Sequence, residues 1–144
     1  MPNTVILRGE AFVVREDKGN AILSPGHLLE FNSSTGRVQK HATSGGAAAR
    51  LFALETDFQG GGVSTAYASG DRVVYADCPQ GTIVWAFLAS GQNVSRGAFL
   101  MSAGDGTLTA QTSTNYYVAQ ADEAANATVA GTTTAGIRFR ARVI

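Results

Sequence analysis

Charge is scarce in this chain of 144 residues: Asp, Glu, Lys and Arg together make up 15% of it, against roughly 25% in an ordinary domain. Gly, Ala, Ser and Thr fill the deficit. Apolar residues stay at 44%, and low charge without low hydrophobicity is the reverse of a disordered composition. A surface with so few charges fits protein contacts, and it equally fits a loop-rich sheet protein dressed in small polar residues. Net charge of one sign is absent too. Eleven basic residues balance eleven acidic ones, which leaves no general pull toward phosphate, so nucleic acid is not expected as a partner.

Cysteine is nearly missing. The single Cys78 excludes an internal disulfide framework and has no second thiol with which to hold a metal. It sits beside Pro79 at an expected turn, with no neighbouring histidine to activate it, and reads as an incidental, partly buried thiol. No apolar run approaches the roughly 18 residues of a membrane span. The first eight residues lack a basic stretch followed by a long apolar core, so no secretory signal is expected, and the glycosylation patterns at Asn32, Asn93 and Asn126 carry little weight without one. One domain is expected at this length, large enough to fold without a staple.

What the chain has is short strand signals separated by glycine-rich turns. Strands are expected at residues 11–15, 27–31, 37–40, 50–55, 72–76, 82–88, 99–102, 107–111, 116–120 and 137–143. Turns are marked by Ser24-Pro25-Gly26, Ser34-Thr35-Gly36, Gly60-Gly61-Gly62, Ser69-Gly70-Asp71 and Gly104-Asp105-Gly106. The last strand is the clearest. Ile137, Phe139, Ala141 and Val143 alternate with Arg138, Arg140 and Arg142, so a period of two places the arginines on one face. That face is either a solvated cationic surface or an arginine row against an acidic partner. Helix is scarce: residues 121–129, with Asp122 and Glu123 near their start, would make two turns.

The chain resembles itself. Ser24-Pro25-Gly26-His27-Leu28-Leu29 is similar to Ser95-Arg96-Gly97-Ala98-Phe99-Leu100. Each is followed by a glycine and an alternating strand, then by a further β-like segment. The shared unit, turn, strand, glycine hairpin, strand, spans about residues 24–55 and 95–120. Residues 1–10 read differently. Val5-Ile6-Leu7 is either the first strand of the domain or an extended arm that adds a strand to another protein; residues 11–144 form the single β-rich domain.

Reactive side chains do not converge. The two histidines, His27 and His41, fit no metal-ligand spacing, and the second unit has Ala98 where the first has His27. No nucleophile elbow Gly-x-Ser-x-Gly is present. Gly60-Gly61-Gly62 lacks the lysine and helix of a phosphate loop, and Gly104-Asp105-Gly106 is too short and too poor in acid for calcium. No catalytic, cofactor or metal residue is therefore expected. Trp85, inside Ile83-Val84-Trp85-Ala86-Phe87-Leu88, reads as core, with a sugar-stacking platform as the alternative. Tyr116 and Tyr117 are adjacent, so on a strand one would face in and one out.

Several blocks together resemble tailed-phage capsid decoration (cement) proteins. They are Tyr67-Ala68-Ser69-Gly70-Asp71-Arg72-Val73-Val74, then Gly81-Thr82-Ile83-Val84-Trp85-Ala86-Phe87-Leu88, then Val94-Ser95-Arg96-Gly97-Ala98-Phe99-Leu100 with the following glycine hairpin. Pro25-Gly26-His27-Leu28-Leu29-Glu30 and the arginine-alternating C-terminal strand complete the likeness, over roughly residues 20–144. Gly97-Ala98 departs from a Gly-Asp turn in the family and leaves the turn intact. The resemblance implies a lambda-like decoration fold: mainly β with at most one or two short helices, a compact barrel or sandwich with an extended N-terminal arm. It implies a homotrimer on the outer surface of the expanded head, made in the host cytoplasm, that binds the major capsid protein and stabilises the shell. The arm residues Pro2, Asn3, Thr4, Val5, Ile6, Leu7 and Arg8 would then make the capsid contact. The alternatives are a tail or baseplate component and a carbohydrate-binding module using Trp85 or Tyr117.

Overall fold

The computed structural model describes residues 4–9, 13–56, 59–112, 114–128 and 136–144. These contain thirteen strands and no α-helix. In chain order they are β1 (Ile6–Arg8), β2 (Val13–Lys18), β3 (Leu28–Phe31), β4 (Val38–Lys40), β5 (Leu51–Ala53), β6 (Arg72–Asp77), β7 (Ile83–Leu88), β8 (Asn93–Val94), β9 (Phe99–Ser102), β10 (Leu108–Ala110), β11 (Ala119–Ala121), β12 (Ala125–Asn126) and β13 (Ile137–Val143). The architecture is all-β and barrel-like, as the sequence indicates. The helix expected at residues 121–129 does not form over its described part, residues 121–128: Ala121 ends β11 and Ala125–Asn126 make β12 against β8. Weak helix propensity over so short a stretch yields to strand partners on both sides of Ala119–Ala121.

Five strands close on themselves in the order β7-β10-β9-β11-β13, with β13 returning to β7. The β13–β7 seam is antiparallel and runs from Ile137 opposite Leu88 to Arg142 opposite Ile83. The ring is completed by a parallel contact of Leu108 with Leu88. Alternation fills the interior: Val84, Ala86 and Leu88 from β7 and Phe139, Ala141 and Val143 from β13 are all at most 1% exposed.

The other sheet has the order β2-β6-β5-β3-β4. It repeats the ring strand for strand. β3 lies between β4 and β5 as β9 lies between β10 and β11. β6 joins β5 to β2 as β13 joins β11 to β7. Even the closing contact has its counterpart, a parallel bridge between Gly19 and Val38. Leu23, Leu29, Val38, Leu51, Ala53, Tyr67, Val73 and Tyr75 pack together within this sheet. Leu28, Phe52 and Ala76 instead join the cluster that fills the ring.

One turn locks the two halves together. Gly26 has φ +96°, and a Cβ there would meet the Trp85 carbonyl oxygen at 2.6 Å and the Arg138 guanidinium at 2.7 Å. Only glycine allows that turn and that approach at once.

The segment before β2 resolves the choice between strand and arm for its described part. β1 pairs antiparallel with β7, Ile6 opposite Val84 and Arg8 opposite Ile83 across a bulge. The Val5 side chain is fully buried. Glu55 holds the segment, accepting from the Thr4 hydroxyl at 2.7 Å and the Val5 N–H at 2.9 Å, while Trp85 N–H donates to the Val5 carbonyl. Ile6–Arg8 is thus an added strand on this domain's own β7, and Thr4 and Val5 are held just before it, because the apolar Val5 is drawn into the core. Pro2 and Asn3 lie outside the described residues. β1 takes the outer edge of β7; no strand takes the equivalent place beside β2 among the described residues. Val5→Ala is expected to lower the unfolding free energy by about 2 kcal/mol, measured by urea denaturation, whereas replacement of a free arm residue would leave the midpoint unmoved.

Candidate functional site

The titratable groups most suggestive of chemistry sit where no substrate reaches. His41 Nδ1 lies 2.7 Å from Ser102 Oγ, its Nε2 2.9 Å from the Ala47 carbonyl and 3.7 Å from Glu30. On paper this is a Ser–His–Glu constellation. The carbonyl at Nε2 requires an N–H there, so in the neutral ring Nδ1 accepts from the Ser102 hydroxyl, which in turn accepts from Gly104 N–H at 3.2 Å. Ser102 is fully buried and His41 2% exposed. A nucleophile with no path to solvent does not attack a substrate. The group stitches β9 to the loop after β4.

His27 is likewise committed. It accepts the Ser24 N–H on Nδ1 at 2.9 Å and stacks on Phe87 at 4.7 Å. Burial, then Lys40 and Arg138, lower its pKa from 6.5 to about 4, against a smaller opposing pull from Asp105. Burial, with Asp77 nearby, pushes the Cys78 thiol up to about 12, which removes it as a nucleophile. Burial raises Tyr67 to about 12, and its hydroxyl bonds the Leu54 carbonyl at 2.5 Å. Among the described residues no three His, Cys, Asp or Glu converge as a metal site. A cleft beside Tyr67 is lined by Thr56, Gln59, Asp71 and Arg72. Its charges are spent locally, Asp71 on Ala68 N–H and Arg72 on Glu16.

The outer wall of the closed barrel is different. The arginine alternation of β13 is real, but its three arginines do three things. Arg138 is half-buried. It lies 4.2 Å above the Phe87 ring and donates to the carbonyls of Val63 at 2.5 Å and Trp85 at 3.3 Å. Arg140 faces Glu123 at 3.4 Å and Asp122 at 3.9 Å. Arg142 is exposed with no partner among the described residues. Trp85, expected in the core, stands on this outer side and is half-buried; the inward places on β7 belong to Val84, Ala86 and Leu88. Its indole nitrogen is enclosed, so the ring is not an open platform. Tyr116 and Tyr117 precede β11 instead of lying on it, and both are exposed, 66% and 48%. Tyr117 pairs with Phe99 at 5.3 Å.

Of the residues expected to touch a capsid, Thr4 and Arg8 are exposed and Ile6 and Leu7 half-buried; Val5 faces the core. Sequence reasoning missed the cleft they help form. Leu7, Arg8, Ile83, Arg96, Asp122 and Arg140 line it, around about 300 Å³. Only the sheet register brings these distant residues together.

Because His27 is held neutral, its contribution to stability is present in full above pH 6.5, the ordinary histidine value. It is lost as pH falls toward 4, since the unfolded chain takes up the proton first. The loss is on the order of 3 kcal/mol. His27→Asn, which keeps an acceptor for Ser24 N–H, is expected to flatten that part of the stability curve in thermal melts between pH 7 and 4; an unchanged slope would show that His27 does not cause it.

No family model matches the chain, and no curated protein matches it. Among solved structures it is similar to the N-terminal base of the head fiber gp8.5 of bacteriophage phi29, with a TM-score of 0.60 over 92% of this chain and 93% of that one. The two are 14% identical, so what they share is the fold.

Proposed function

We propose that this chain is a structural protein of a tailed-phage particle, set on the outer surface of the head. The fold shared with a phage head fiber base over nearly the whole chain carries this reading. The block resemblance to decoration proteins points the same way, from sequence alone. The finer form of the proposal is a homotrimer that grips the major capsid protein and reinforces the expanded shell. A cement protein needs a rigid small core and an adhesive outer face, and three linked weak contacts hold where one would not. The buried state of Ser102, His41 and Cys78 fits a role that rests on binding alone. The exposed Phe99–Tyr117 pair is the feature that favours the second reading, a carbohydrate-binding surface.

Mixing the purified protein with empty expanded heads that lack it, and with unexpanded heads, tests the proposal. Retention on expanded heads in multiples of three copies per site, read by native mass spectrometry and sedimentation, is expected. Equal retention on both head forms, or paired copies on the expanded shell, would overturn the cement reading. Saturable binding to a polysaccharide array, abolished by Tyr117→Ala, would support the second.

A further inference from the structure

Among the described residues, the two arginines without a carboxylate on the barrel wall stand in one cross-strand row. Arg8 on β1 and Arg142 on β13 both lie opposite Ile83, from its two sides. Residues opposite one another share a face of the sheet, so their backbones are two strand spacings, about 10 Å, apart on one surface. The row continues through Gln120, opposite Arg142, to Phe99, opposite Gln120.

Elsewhere many of the guanidiniums are matched within the chain. Arg15 faces Asp17, Arg72 faces Glu16, and Arg140 faces Asp122 and Glu123. Arg138 is spent on Phe87 and two carbonyls. Arg96, 76% exposed, reaches only Asp122, at 3.8 Å. Arg8, Arg96 and Arg140 line the cleft against Asp122, and Arg142 stands beside it, across Ile83 from Arg8. With Glu123 set against Arg140, these four arginines outnumber the two carboxylates by two charges. The floor between them is apolar, Leu7 and Ile83, both half-buried.

We propose that this cleft and the Arg142 beside it dock an extended acidic segment of a partner protein. Arg8 and Arg142 take carboxylates on alternate residues of the segment, and Leu7 and Ile83 take its apolar flank. An extended chain carries its alternate side chains on one face, about 7 Å apart, within reach of two long arginines. The planar fork of arginine matches a carboxylate, and arginine beside apolar surface is the composition of an interface centre. Placing that partner on the head rests on the function proposed above; the chemistry of the cleft does not.

The test is fluorescence anisotropy of a labelled Glu-Val-Glu-Val-Glu peptide with the full chain, beside the matching Lys-Val peptide and inorganic pyrophosphate as a competitor. Saturable binding of the acidic peptide alone is expected, weakening severalfold between about 50 and 150 mM salt. Arg8→Gln with Arg142→Gln is expected to lose at least about tenfold in affinity, with Arg72→Gln on the other sheet unchanged. Where the double variant melts early, Arg142→Gln alone carries the comparison. Absence of saturable binding, equal binding by the variants, or displacement by pyrophosphate as effective as by unlabelled peptide would overturn the proposal. Head attachment separates the two readings. Wild-type retention with undiminished retention of the double variant sinks the cleft as the docking site. Failure of the wild type to attach, with peptide binding intact, sinks head attachment and upholds the cleft.

Discussion

A closed ring of five strands has very little room inside it. In this protein Phe139 packs with alanines at 86, 119, 121 and 141 and with branched residues such as Val84, Leu88, Leu100 and Val143, all 0–2% exposed, and Leu28, Phe52 and Ala76 from the other sheet join the same cluster. The small size of Ala86, Ala119, Ala121 and Ala141 fits that constraint. So does the position of the bulkiest side chains of the same strands. Trp85 and Phe87 alternate with Val84, Ala86 and Leu88 and have nowhere to go but the outer wall. They are covered there from outside: Arg138 lies across Phe87, His27 stacks on it, and the Gly26 turn presses against the Trp85 carbonyl. The narrow interior thus dictates that the first half of the chain pack on the outside of the second.

Much of this was legible beforehand. Strand positions follow from alternation and glycine punctuation, and the C-terminal strand was readable residue by residue. What escaped was set by tertiary geometry. A tryptophan in an apolar run reads as core, yet only the diameter of the ring decides which side of the strand can hold it. Tyr116 and Tyr117 were read with strand periodicity, but pairing begins at Ala119, so both rings fall where no alternation applies. The strands β8 and β12 are two residues each, too short for any pattern. The apolar Val5 carried no signal that distinguished an arm from a strand, because both are extended; its burial is a property of the groove it enters.

The candidate site shows the same division. That Ser102 and Glu30 would meet His41 was not readable from spacing. That three arginines on one strand would divide into an internal clamp, an ion-paired surface residue and a cation with no partner among the described residues was not either, since it depends on Phe87, on Glu123 and on a strand from the opposite end of the chain. The repeated strand order of the two sheets also rests on more than the short motif that hints at it; β2 corresponds to β7 and β6 to β13 without visible sequence likeness.

The correspondence leaves one place unequal. The outer edge of β7 is taken by β1, and the matching edge of β2 is bare among the described residues. The two strands are written accordingly. β2 carries Arg15, Glu16, Asp17 and Lys18, charges that deter a stray strand from adding to an open edge. β7, Ile83–Leu88, carries none, and combines β-branched and aromatic residues in a run of the length that seeds cross-β stacking. One edge is guarded by charge and the other by a strand. A chain that loses its first eight residues therefore does more than lose stability: it uncovers an ungated edge, and its route out of solution is self-association through β7.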